Sequence, residues 1–522
     1  MPTREEILRQ LGSDTEAWDV LVIGGGASGL SAALDAAARG YRTLLLERSD
    51  FAKGTSSRST KLAHGGVRYL QQMNVRLVTD ALHERGLMMR NAPHLVHDLA
   101  FVIPAYSFFS LPYYGMGLKV YEWLSGTLSL GASELLSSSD ALTMLPGIRA
   151  RGLKGGILYH DGQFDDARYA IALLRSFEDQ GGVAINYVDV QGLVEEQGKV
   201  VGVRAADVES GDSFALRARV VVNATGVWSE QTLRMQTGAE AQQLLSVSQG
   251  THLVLPREFL PSRTALMIPK TSDGRVLFAI PWHGVTIVGT TDVAVDGPLA
   301  EPHPRKDEIT FLLDHVERYL GRRPKPDEIL SRWSGLRPLV RQAGIATSKL
   351  SRDHSVLVSP AGLVTLIGGK WTTARRMGQD AIDRAAQVAG LRPVASPTAA
   401  LRLHGWDVGQ AHPATEWEKV YGSDLASLRA LGQAEPGLDE LIHPSLPYRR
   451  REVLWAARHE QARTTEDVLA RRTRALFQDA QAALAVAGDV ATLLGRELGR
   501  SEARIEQDRS AFVTLARGYL TN

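Results

Sequence analysis

Residues 18 to 47, WDVLVIGGGASGLSAALDAAARGYRTLLLE, constrain the fold more than any other stretch of the chain. The apolar run Val20 to Ile23 predicts a buried parallel strand. Gly24, Gly26 and Gly29 follow at G-x-G-x-x-G spacing, an alanine-rich helix opens at Ala27 and Ser28, and a second strand, Leu44 to Leu46, ends on Glu47. The first glycine permits a tight turn, the second lets backbone N–H groups approach a pyrophosphate, and the third lets helix and strand pack closely. The helix N-terminus favours the anion. An acid at the end of the second strand, here Glu47, can accept hydrogen bonds from ribose hydroxyls. Strand, turn, helix, strand and acid agree, so the segment reads as a dinucleotide site.

At 522 residues the chain exceeds one ordinary core, and two or three domains are expected. The balance of 44% hydrophobic and 22% charged residues is that of a folded soluble protein. A formal net charge of +1 leaves no global basic field for nucleic acid, so any cationic chemistry must be local. The absence of cysteine excludes disulfides, thiolate nucleophiles, Cys-based zinc sites, iron–sulfur clusters and a Cys-linked flavin. No metal site is assigned. The first 18 residues lack an apolar core, so no secretion signal is expected. The uncharged stretch Leu99 to Leu118 contains Pro104, Pro112, Gly115 and Gly117, which argues for strand and loop over a spanning helix. Its aromatic residues, running on into Tyr121 and Trp123, suit core packing or monotopic membrane contact.

Further along, Val220 to Val222 leads into Asn223-Ala224-Thr225-Gly226. Leu363 to Ile367 leads into Gly368-Gly369-Lys370 and a helix from about Thr372. Both read as later strands of the nucleotide domain. Between them, Val276 to Ile280 and Thr286 to Val288 have the short, β-branched character of a second sheet. After about Pro397 the pattern turns helical, with Arg450 to Ala462 and Thr465 to Phe477 as examples and Thr464 as an N-cap. Arg471, Arg472 and Arg474 are expected on a solvated face or paired with acids.

Beyond the opening fingerprint, the loop Thr55 to Leu70, TSSRSTKLAHGGVRYL, closely resembles that of the FAD-dependent glycerol-3-phosphate dehydrogenases, the aerobic, respiratory family. So do Asp165-Asp166-Ala167-Arg168, Asn223-Ala224-Thr225-Gly226, Gly250-Thr251-His252, Gly289-Thr290-Thr291-Asp292, Ser334-Gly335-Leu336-Arg337-Pro338 and Gly368-Gly369-Lys370-Trp371-Thr372-Thr373. The tail, with Ala470-Arg471-Arg472-Thr473, is similar to that family's C-terminal domain. The resemblance implies an α/β fold: a discontinuous Rossmann-like FAD-binding domain (18–90, 155–235 and 351–395), an inserted mixed-sheet substrate domain (91–154 and 236–350) and a C-terminal helical domain (400–522).

It also implies a FAD site built from Gly24, Gly26, Ala27, Ser28, Gly29, Glu47, Thr55, Ser56, Ser57, Lys61, His64, Gly65, Val190, Ala224, Gly226, Gly368, Gly369, Lys370 and Thr372. Thr55, Ser56 and Ser57 offer donors beside the pyrophosphate. Val190, in an extended run, brackets adenine in similar proteins or is simply a core valine. Gly368 and Gly369 precede a helix whose positive end would face the flavin's pyrimidine edge. The implied substrate, glycerol 3-phosphate, is a small dianion that a guanidinium binds bidentately. Arg337 and Arg352 are assigned to the phosphate, with Arg68, Tyr69 and Lys370 lining the flavin-facing pocket and His252 beside them. Asp353 and His354 could instead pair with Arg352. The implied chemistry moves hydride from C2 to flavin N5 as the C2 hydroxyl loses its proton. His64 and His252 are the candidate bases. With Arg337 and Lys370 they complete the catalytic set.

The electron acceptor separates a dehydrogenase passing electrons to membrane quinone from an oxidase using oxygen. The modest distance from Arg337 to Gly368 leaves no room for the long insertion of the oxidase branch. No D-x-[DN]-x-[DN]-G calcium loop occurs in the C-terminal part, unlike mitochondrial relatives. A bacterial-type enzyme held peripherally on the cytoplasmic face of the cell membrane, and able to form a homodimer, is therefore expected. The alternatives are an amino-acid or amine oxidase of the same fold and a non-catalytic flavin-binding module.

Overall fold

The computed structural model describes residues 3–13, 15–66, 75–107, 110–125, 130–237, 243–341, 353–407 and 415–521. Arg68, Tyr69 and Arg352 lie outside the described residues. An eight-stranded sheet runs in the order His354–Val358, Val364–Gly368, Ser213–Asn223, Trp18–Ile23, Thr43–Leu46, Val183–Ile185. Strands Val188–Glu196 and Lys199–Asp207 join it as a meander on Ser213–Asn223. The inner pairings are parallel and His354–Val358 is antiparallel. Alternation along the first strand explains its apolar run. Val20 and Val22 pack towards the helices Ala27–Ala38, Asp166–Asp179 and Ala374–Ala389. Leu21 and Ile23 pack against the meander on the other face. Two of these helices touch at Gly378, where a Cβ would lie 2.5 Å from the Ser31 carbonyl carbon.

A ten-stranded mixed sheet forms the second layer system. It includes Leu277–Trp282 and Val285–Gly289, where a second sheet was expected, and Ser331–Val340 paired along Leu245–Pro256. Ala265–Ile268 runs parallel to Val96–Ala105, and the remaining pairs are antiparallel. This sheet takes two segments that the sequence reading gives to the nucleotide domain. Gly155–Phe164 pairs along the whole of Val96–Ala105, and Leu62–Ala63 pairs with Gln163 and Gly162. The chain returns to the first sheet only with the helix Asp166–Asp179 and the strand Val183–Ile185.

The uncharged stretch 99–118 also differs from expectation. Its first part is the strand Val96–Ala105, but Ser110–Ser125 is a helix. Pro112 falls in its first turn, where its missing N–H removes no helical hydrogen bond, so the proline does not prevent the helix. Leu118 and Tyr121 are buried, whereas Met116, Val120 and Trp123 are exposed, Trp123 at 78%. Among the described residues, no helix is long and apolar enough to cross a membrane.

The C-terminal part is helical, with Leu425–Ala434, Arg450–His459, Ala480–Ala485, Ala487–Glu497 and Glu502–Arg517 as its α-helices of six residues or more. The helix expected over 465–477 is interrupted. Asp467–Arg472 is a π-helical turn, Arg474 takes φ +70°, and Ala475–Gln478 resumes the α-helix. Thr464 caps the start, its Oγ1 accepting the Asp467 N–H at 3.2 Å while the Asp467 carboxylate accepts the Thr464 N–H at 2.9 Å. A regular helix turns about 100° per residue and would splay Arg471, Arg472 and Arg474 around its circumference. The interruption lets all three reach carboxylates in the interior.

Candidate active site

One cavity of about 490 Å³ lies between the two sheets, and its near end is the glycine turn. The strand Trp18–Ile23 ends at Gly24 with φ +106°, where a Cβ would approach the Ala224 carbonyl oxygen to 2.7 Å. At Gly29 a Cβ would stand 1.8 Å from the Gly24 carbonyl oxygen, so helix and turn meet only without a side chain there. Gly24, Gly26, Ala27 and Ser28 line the cavity, and Gly29 supports them from behind. The Ala27 N–H donates to Ser56 Oγ at 2.9 Å, which joins the helix start to the Thr55–Ser57 turn. Trp371 Nε1 donates to the Ser56 carbonyl at 2.9 Å and brings the last glycine motif alongside.

Glu47 lines the cavity and accepts the Gly25 N–H at 2.7 Å and the Ser49 N–H at 2.8 Å. Burial raises its carboxyl pKa, and these two N–H groups act against that shift. A carboxylate has about four lone-pair positions, so acceptor capacity remains for ligand hydroxyls. Val190, on the strand Val188–Glu196, reaches the same wall, as do Ala224 and Gly226. Gly368 at φ +76° and Gly369 at φ +88° lie ahead of the turn Trp371–Thr373 and the helix Ala374–Ala389, slightly later than the expected helix start. Bare glycine turns, backbone donors and a buried acid make a cradle that fits an adenine dinucleotide.

Three expected cofactor residues sit elsewhere. Ser57 is buried, and its carbonyl accepts from Lys61 Nζ at 2.8 Å and from Arg474 at 3.0 Å. Lys61 is fully buried on Asp166 at 2.7 Å, with its Nζ 4.7 Å from the Trp333 ring centroid. Burial outweighs the Asp166 charge and pushes that ammonium down to about 7. The Gly65 N–H donates to the Tyr121 hydroxyl at 2.8 Å, and a Cβ on Gly65 would meet Leu82 at 2.5 Å, so it serves packing. Their place beside true lining residues in one sequence motif hid this difference.

The other end of the cavity is lined by His64, His252, Arg337, Lys370 and Thr372. The His64 backbone is locked to Thr372, whose Oγ1 accepts its N–H at 3.2 Å and donates to its carbonyl at 3.3 Å. The Arg337 guanidinium donates to Thr290 Oγ1 at 3.0 Å and to the Thr291 carbonyl at 3.1 Å, and lies 3.7 Å from Asp292. Gly250 makes room for it, because a Cβ there would stand 2.2 Å from its Nη2. His252 is buried, stacks on Trp333 with centroids 4.0 Å apart, and pairs Nε2 with Thr60 Oγ1 at 2.9 Å. Burial, then the charges of Lys61 and Arg337, holds its pKa well below the ordinary imidazole value, so it is neutral at neutral pH.

Thr60, Trp333 and Arg275 were not legible as residues of the site. Thr60 lies within the loop Thr55 to Leu70, whereas Arg275, which reaches the cavity on Asp273 and the Asp292 carbonyl, belongs to no motif.

Residues 19–375 match the family model described as FAD dependent oxidoreductase, and residues 363–505 match the C-terminal domain of alpha-glycerophosphate oxidase. The chain is 39% identical to a probable mitochondrial glycerol-3-phosphate dehydrogenase of Caenorhabditis elegans, over 96% of this chain and 73% of that one. It is also 39% identical to the mitochondrial glycerol-3-phosphate dehydrogenase of Rattus norvegicus, over 97% and 74%. The solved glycerol-3-phosphate dehydrogenase of Bacillus halodurans, complexed with FAD, superposes with a TM-score of 0.81 at 28% identity, covering 99% of this chain and 98% of that one. With a dinucleotide cradle, a cation-lined recess and a helical C-terminal part matched end to end, the chain belongs to the FAD-dependent glycerol-3-phosphate dehydrogenase family.

Proposed function

We propose that the protein oxidises sn-glycerol 3-phosphate to dihydroxyacetone phosphate and passes the electrons to a membrane quinone. The observation that carries this reading is a single cavity lined at once by the glycine cradle and by Arg337 and Lys370. FAD, when bound, supplies the acceptor for the hydrogen that leaves C2 with its electron pair. Everything else falls to the chain. Arg337 presents a planar fork of donors to the phosphate, and its bonds to Thr290 and Thr291 fix the fork in advance. Lys370 adds a second cation to the same cavity. The C2 hydroxyl proton passes to a basic group of the cavity, for which His64 and His252 are the titratable candidates.

Anaerobic addition of glycerol 3-phosphate to the yellow holoenzyme tests the reaction directly. Rapid bleaching with formation of dihydroxyacetone phosphate is expected, and an unchanged flavin spectrum would overturn the reading. Reoxidation by a short-chain quinone and slow reoxidation by air would support the quinone acceptor. Stoichiometric peroxide would replace it with oxygen.

Peripheral membrane contact is supported by the helix Ser110–Ser125, whose Met116, Val120 and Trp123 recur at one-turn spacing and are exposed, beside Leu135 at 65%. Flotation with anionic vesicles should retain the protein, and Trp123→Asp should release it. Equal flotation of both would remove this surface from the proposal.

A further inference from the structure

His252 is clamped as a ring and starved of partners. One face stacks on Trp333 at an interplanar angle of 20°, and on the other side a Cβ at Gly289 would come within 2.1 Å of its Cδ2. Its Nε2 meets Thr60 Oγ1 at 2.9 Å, while its Nδ1 is buried and has no hydrogen-bond partner among the described residues. A neutral imidazole carries one N–H and one bare nitrogen. Burying an unpartnered N–H is costlier than burying an unpartnered lone pair, so the proton belongs on Nε2, where Thr60 accepts it. That bond occupies a lone pair of the Thr60 oxygen and leaves its hydroxyl hydrogen free to point elsewhere.

Thr60 itself is held from both sides. The Ser59 N–H and Oγ donate to the Asp166 carboxylate at 3.0 and 2.7 Å, and Lys61 Nζ donates to it at 2.7 Å. Thr60 lines the cavity between these two anchored neighbours.

We propose that Thr60 is a substrate-binding residue, whose hydroxyl donates a hydrogen bond to the oxygen on the substrate's C2. In this arrangement His252 is the positioning residue behind it, which narrows the two candidate acceptors of the C2 hydroxyl proton to His64. The inference rests on the phosphate-polyol reading of the site, and it adds a specificity contact to the cation-based recognition of the phosphate. A donor aimed at the C2 oxygen discriminates ligands that carry an oxygen there from those that lack it, because burying that donor unpaired is penalised.

The test uses oxidised holoenzyme and two phosphates that do not turn over: dihydroxyacetone phosphate, which has a C2 oxygen, and 3-hydroxypropyl phosphate, which lacks one. Perturbation of the flavin absorbance reports their binding. Thr60→Val should weaken dihydroxyacetone phosphate about tenfold, leave 3-hydroxypropyl phosphate within about twofold, and keep full flavin occupancy. Thr60→Ser should restore the difference. Equal changes for the two ligands, or none, would overturn the assignment of Thr60. If neither phosphate bound the unaltered enzyme, the phosphate-polyol reading would fall, and this inference with it. In holoenzyme labelled with ¹⁵N-histidine, with His252→Gln to assign the signal, the ring should show a protonated Nε2 and a bare Nδ1. A proton on Nδ1 would overturn the role given to His252.

Discussion

Arginine serves in two settings here, at the cavity wall and in the interior, and does different things in each. On the cavity side, Arg337 is 19% exposed and donates mostly to neutral oxygens of Thr290 and Thr291. In the interior, Arg471, Arg472 and Arg474 are 2% exposed or less and meet carboxylates from the nucleotide domain. Arg472 grips Asp50 with two bonds of 2.6 and 2.9 Å, Arg471 joins it there and reaches Glu466 and Asp467, and Arg474 spans Asp166 and the Ser57 carbonyl. Burial would raise the Asp50 pKa, but Arg472 and Arg471 pull it below the ordinary carboxylate range to about 2. The lesson is that an arginine's role follows from its acceptors. Matched at close range to several buried carboxylates it is a rivet, whereas Arg337 is held at the cavity wall chiefly by the neutral oxygens of Thr290 and Thr291, with Asp292 3.7 Å away.

The contrast can be broken experimentally, and the rivets should give the largest effect. Arg472→Met leaves Asp50 buried with part of its compensation gone, and should cost about 3–5 kcal/mol in urea unfolding. Retention of wild-type stability would show that the cluster is not structural. Gly29→Ala comes next, since the added methyl meets the Gly24 carbonyl at 1.8 Å. Overpacking of about 1–3 kcal/mol, concentrated at the turn, should appear as purified protein largely free of flavin. Arg337→Ala should leave the melting temperature and flavin content alone while raising the apparent KM about 30- to 100-fold. A fall in stability matching that of Arg472→Met would erase the distinction between the two groups.

The smallest effect concerns another junction between the helical part and the nucleotide domain. His404 hydrogen-bonds Asp179 at 2.7 Å and Asp424 at 2.9 Å. Burial alone would lower its pKa, but the two carboxylates outweigh it and hold the imidazolium up at about 9. Its pKa is thus above the unfolded value of about 6.5. The stabilisation is complete below that value and is lost as pH rises through about 9. Thermal melts from pH 6 to 9.5 should fall in this window, and His404→Gln should flatten that part of the curve.

How much was legible follows the range of the interactions. The G-x-G-x-x-G turn, its flanking strands and Glu47 are local devices, each requiring a particular residue within about 30 positions, and the structure realises them in that order. The sorting of the loop Thr55–Gly66 was not legible. Thr55, Ser56, Thr60 and His64 line the cavity, while Ser57, Lys61 and Gly65 turn away. That division depends on Asp166, Tyr121 and Leu82, which come from distant segments. The helix Ser110–Ser125 was hidden because proline reads as a breaker until its place in the first turn is known.

The sequence alone determined the dinucleotide cradle, because it rests on short-range glycine geometry between apolar strands, whereas the family and its two-sheet architecture came from the resemblance of motifs spread along the chain. Tertiary structure decided what the tail arginines do, since Arg471 and Asp50 stand 421 residues apart and neither announces the other. It likewise decided which nitrogen of His252 has a partner. A side chain's chemistry is written in its atoms, but its protonation and its role are set by the acceptors that folding brings within 3 Å.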